Sequence, residues 1–68
     1  MKNLAQELGQ AADRVRLEVI PRYRAMGAGG LHPLTRVQIT LAAAERAIAA
    51  GNVAEMQRCL DYLSERYK

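Results

Sequence analysis

Apolar residues recur at three- and four-residue intervals along almost the whole chain, and that regularity decides the fold class. Leu4, Leu8, Ala11 or Ala12, Val15, Val19, Tyr23 and Met26 keep helical spacing. Leu34, Val37, Leu41, Ala44 and Ile48 do the same, and so do Val53, Met56, Leu60, Leu63 and Tyr67. The pattern predicts an all-α protein with one domain spanning residues 1–68. Its three helices are expected at about 3–26, 35–50 and 52–67.

The interruptions fix where each helix stops. Asn3 is the first candidate cap, with Gln6 three residues later to return the hydrogen bond. Pro21 falls inside the first stripe, lacks an N–H and crowds the carbonyl of Leu17. Because Tyr23 and Met26 stay in phase beyond it, the spacing predicts a long helix kinked near residue 21. Gly27 stands where a left-handed residue closes a helix, and a glycine-rich loop follows as far as Pro33. Thr35 is the expected second cap, with Gln38 at the third helical position and Leu34 and Ile39 as a hydrophobic staple. An alternative start places His32 at the cap and Pro33 in the first turn. Gly51 ends the second helix and Asn52 caps the third, with Glu55 as its reciprocal partner. So short a joint implies a tight antiparallel helical hairpin.

Composition enters through the core. The chain has 68 residues, no Phe or Trp, and twelve alanines among its apolar residues. Alanine buries little area, so a chain this short lacks apolar free energy and usually needs a disulfide, a metal or a second subunit. Cys59 is the sole cysteine and His32 the sole histidine, which leaves oligomerisation, most simply a homodimer. Leu17 and Ile20 project from the wrong side of the first stripe. Ile39, Ala43, Ala47 and Ala50 make a second, small-residue side on the middle helix, which is therefore expected to be approached from two sides. The expected dimer interface is Leu17, Ile20, Ile39 and Ala43.

Most chemistry is disfavoured. His32 precedes a proline in a loop with no acid or cysteine beside it. Cys59 adjoins the Met56–Leu60 seam and reads as a small core or interface residue. The run Gly27-Ala28-Gly29-Gly30 has no preceding strand and no P-loop lysine. No catalytic set, metal or cofactor is expected. The N-terminus lacks the apolar segment of a signal peptide, and no apolar run approaches a membrane span. A cytoplasmic protein is the corresponding expectation.

Charge then marks the site. The net charge is +3, yet residues 14–36 alone carry five arginines against Glu18, or +4. On a straight helix Arg14, Arg16, Arg22 and Arg24 radiate in different directions, with aliphatics among them. Such a mixture fits a protein interface better than a phosphate-tracking stripe. The joint at Gly51-Asn52 is shorter than a helix-turn-helix turn, and the outer face of the third helix (Glu55, Arg58, Asp61, Glu65, Lys68) is of mixed sign. The sequence therefore points to a non-enzymatic regulator, adaptor or inhibitor, of the kind that small bacterial or phage accessory proteins supply. It would bind another protein through Arg16, Ile20, Arg22, Tyr23, Arg24 and Met26. The alternative is nucleic-acid binding through the same arginines. A third reading is capture of a small anion such as a nucleotide by the glycine loop and arginines of two subunits.

Overall fold

The computed structural model describes residues 3–67, all of them helical apart from caps and short turns. Met1, Lys2 and Lys68, which enter the charge and end-of-domain readings above, lie outside the described residues. Helix α1 (Leu4–Arg14) runs into a π-helical turn (Val15–Val19) and on into α2 (Ile20–Ala25). A 3₁₀ turn (Gly27–Gly30) leads to α3 (Leu31–Ala50), and Gly51-Asn52 joins it to α4 (Val53–Arg66). With α1, the π turn and α2 counted as one rod, the described residues form three helices.

The first cap forms as the sequence predicts. The Asn3 side chain accepts from the Gln6 N–H at 2.8 Å, and the Gln6 side chain accepts from the Asn3 N–H at 3.1 Å. Beyond Arg14 the helix departs from regular α-helical spacing, ahead of the kink expected near residue 21. The N–H of Ile20 bonds the carbonyl of Val15, five residues back, which widens the turn by one residue. That extra residue widens the inward face just after it, so that neighbours in sequence can both turn toward the core. Ile20, expected on the outer face, is half-buried and packs against the core beside Val19. The inward stripe ends at Tyr23, and Met26 is exposed. The wider turn also gives the Pro21 ring room beside the Leu17 carbonyl, in the first turn of α2 where its missing N–H matters least.

Helix α3 begins at Leu31, four residues before the expected Thr35. The 3₁₀ turn supplies the reason: the carbonyl of Ala28 accepts the Leu31 N–H, so helical bonding starts without a side-chain cap. Pro33 falls in the first turn, where no N–H is needed. Thr35 is thus interior and donates its hydroxyl to the Leu31 carbonyl at 3.0 Å. Leu34 packs against the core but Ile39 is exposed, so the staple has no cap to serve and does not form.

The α3–α4 joint follows the sequence closely. Gly51 is left-handed at φ 67°, the Gly51 N–H bonds Ile48 O at 3.2 Å, and the Asn52 N–H bonds Ala47 O at 3.0 Å. These two bonds make a Schellman closure. Asn52 Oδ1 then accepts from the Glu55 N–H at 3.2 Å to start α4. Glu55 does not return the bond. The Asn52 N–H is already taken by Ala47, and the Glu55 carboxylate pairs with Arg58 at 2.7 Å.

The core is Leu8, Ala12, Val15, Val37, Leu41, Ala44, Ala47, Met56, Cys59 and Leu63. Helix α4 packs on both α1 and α3, while α3 also meets α2, so no one helix is central. Cys59 replaces Leu60 as the buried member of its turn, and burial pushes its thiol pKa upward, helped by Glu55. A free, buried, protonated thiol is a packing group. No polar or charged side chain is buried among the described residues.

Candidate functional site

The segment singled out by its charge divides into three environments. Arg16 is turned inward on the protein itself. Its guanidinium meets Asp13 at 3.2 Å and Glu45 on α3 at 2.5 Å. Both carboxylates are exposed, so the pairs add well under about 1 kcal/mol each, but they occupy the group expected to meet a partner. Ile20 is likewise spent largely on the core. Leu17, Arg24 and Met26 remain in solvent, Leu17 at 77% and Met26 at 58% exposure. Leu31, just after the 3₁₀ turn, is a further exposed aliphatic.

Arg22 and Tyr23 belong to a third environment, a cleft of about 240 Å³ between the first rod and the end of α4. It is lined by Arg14, Glu18, Val19, Arg22, Tyr23, Arg66 and Tyr67. Helical spacing explains the near wall: Arg14, Glu18 and Arg22 are four apart, with Val19 and Tyr23 one position on. The far wall is the last turn of α4. Tyr67 stacks edge-on to Tyr23 with ring centroids 6.5 Å apart, and to Tyr62 at 6.4 Å. All three tyrosines of the chain therefore form one aromatic cluster. Arg14 Nη2 donates to the Tyr67 carbonyl at 3.0 Å, a cation at the negative end of a helix. The Arg66 guanidinium lies 5.9 Å from the Tyr62 ring centroid.

Burial pushes the Tyr67 hydroxyl up to about 12, and the neighbouring Tyr23 hydroxyl adds to the effect by favouring the neutral phenol. Arg66 pulls the other way and loses. Tyr67 is therefore a neutral hydrogen-bonding group at any ordinary pH.

The structure thus brings Arg22 and Tyr23 together with Arg14, and leaves Arg16, Arg24 and Met26 elsewhere. Arg66, Tyr67 and Tyr62 are the residues that sequence reasoning did not join to the site. A signal for them existed: Tyr23 and Tyr67 each sit on the inward stripe of their own helix, near its end. Two inward aromatics at helix ends become neighbours if those ends meet.

The dimer residues also separate. Ile39 borders a depression between α3 and α4 with Arg36, Thr40 and Tyr62, and Ala43 borders a separate one with Arg46, Ala47, Ala50, Asn52 and Glu55. Leu17 is exposed on the first rod. His32 is exposed in the first turn of α3, and no group of three or more potential metal ligands occurs among the described residues. No helix among the described residues is long and apolar enough to cross a membrane. No protein-family model, curated protein or solved structure matches the chain.

Proposed function

We propose that this protein works by binding another protein, as a regulator, adaptor or inhibitor, and not by catalysis. One observation carries the reading: large aliphatics are left in solvent, with unpaired arginines, on the first rod and at the α2–α3 turn. Leu17, Met26 and Leu31 are all more than half exposed, and Arg22 and Arg24 have no ion-pair partner among the described residues. A chain with so small a core gains by covering such side chains. The partner surface of matching chemistry is apolar at its centre and acidic at its rim. Arg24 and Met26 are the primary contacts in this reading, Arg22 and Tyr23 the edge of the surface, and Arg16 and Ile20 its support from behind. Pro21 and the wide turn before it set the direction in which Arg22–Met26 face.

A photocrosslinking residue at Met26, with one at exposed Gln57 on the outer face of α4 as control, tests this in nuclease-treated extract. A discrete protein adduct from Met26, absent from Gln57 and lost on Arg24→Glu, is the expected result. Equal adducts from both positions, or none from Met26, overturns it. Adducts that form in untreated extract and are lost after nuclease favour nucleic acid as the target.

Self-association is part of the same proposal, through Ile39 and Ala43 beside the α3–α4 depressions and Leu17. Ile20 contributes less, since the protein's own core covers it. Sedimentation showing a stable monomer at micromolar concentration removes the homodimer.

A further inference from the structure

The cleft between the first rod and the end of α4 combines features that a protein-docking surface does not require. Arg14, Arg22 and Arg66 supply three positive charges against Glu18 alone, a sum of +2. Each guanidinium carries five donors in a planar fork. Arg14 uses one of them on the Tyr67 carbonyl. Neither Arg22 nor Arg66 pairs with a carboxylate among the described residues. The carbonyls ending α4 bring about half a negative charge to the far wall, so the balance left for a ligand is roughly +1.5. A phosphate monoester carries about −1.5 to −2 at neutral pH. Val19 and the rings of Tyr23 and Tyr67 add an apolar wall beside these donors. The wider groove between α1 and α4, about 500 Å³, offers one arginine and one glutamate and has no such excess.

The geometry points to this cleft as a binding site for the phosphate group of a monoester. Arg22 and Arg66 are its forked donors, Arg14 holds the α4 end in place, and the Tyr23–Tyr67 pair backs the group that bears the phosphate. The assignment shares Arg22 and Tyr23 with the edge of the protein-binding surface, but it depends on Arg66 and on neither Arg24 nor Met26, so the two readings fail separately.

Calorimetry with phenyl phosphate, inorganic phosphate and a short phosphotyrosyl peptide tests it on the full chain. Saturable binding of at least one monoester is expected, with Arg22→Gln and Arg66→Gln each weakening it by about tenfold or more. Arg24→Gln, outside the cleft, should change it by less than about twofold. Phenyl phosphate binding as tightly as the peptide identifies a small-molecule source; a peptide about tenfold tighter identifies a phosphorylated chain. Should a variant fail to fold, shift mapping on the unmodified protein decides instead. Phenyl phosphate must then perturb Arg22, Tyr23, Arg66 and Tyr67 together. No saturable binding by any of the three ligands, equal loss in Arg24→Gln, or shifts centred elsewhere overturns the site.

Discussion

The two joints of this protein both use glycine, for opposite reasons. At Gly51 the backbone is left-handed and the space around it is open, with nothing near where a Cβ would stand. The glycine is there for its own φ, and its neighbours supply local hydrogen bonds. At Gly30 the backbone is ordinary, but a Cβ would lie 1.9 Å from the carbonyl oxygen of Tyr23 and 2.8 Å from its carbonyl carbon. That glycine is there because another part of the backbone runs against it. Tyr23 then carries the contact onward, since its ring meets Tyr67 at the end of α4. One joint is local chemistry; the other adds to a left-handed Gly27 a backbone packing contact at Gly30.

Substitutions should expose this difference in order of size. Gly30→Ala forces backbone against backbone, which no rotamer change relieves. It should cost about 3 kcal/mol or more in denaturant unfolding, about a third or more of the roughly 3–10 kcal/mol expected for a domain of this length. A loss below about 1 kcal/mol would show that the 3₁₀ turn yields freely. Gly51→Ala and Gly27→Ala, both at positive φ in open space, should each cost about 1–2 kcal/mol. Asn52→Ala removes one cap and should cost about 1 kcal/mol in the same assay. Gly29→Ala, in open space with no positive φ, should be neutral or raise stability by up to about 1 kcal/mol. If Gly29 and Gly30 respond alike, the contrast between a packed and an open glycine fails.

The smallest effect separates the joints by pH. The folded state raises the Tyr67 pKa from 10.0 to about 12, so it favours the neutral phenol. That contribution is fully present below pH 10 and fades as pH rises through about 12. Amide exchange should quicken over this window around Tyr23 and the end of α4 before it does at Gly51-Asn52. Tyr67→Phe should abolish the difference. The phenol is only half-buried, so solvent screening keeps the change modest.

How far the sequence could be read follows the same division. The caps at Asn3 and Asn52 and the left-handed glycines at 27 and 51 were legible because each depends on residues within one turn. The Thr35 cap failed for a local reason that propensity hides: Ala28 and Pro33 allow α3 to start earlier without a side-chain cap. Ile20 was placed on the wrong side because a π turn widens the inward face there. Nothing in Val15-Arg16-Leu17-Glu18-Val19 announces that turn except the proline after it.

Sequence alone determined that the chain is helical, where Asn3 and Asn52 cap it, and which glycines turn left. These follow from side-chain period and single-residue backbone preference, acting over at most a few neighbours. Tertiary structure alone decided that Gly30 is a contact and that Arg16 is occupied by Glu45. It also decided that Arg14 reaches the carbonyl of Tyr67, 53 positions away. Contacts of that kind depend on how whole helices are aligned and rotated, which no pattern within one helix specifies.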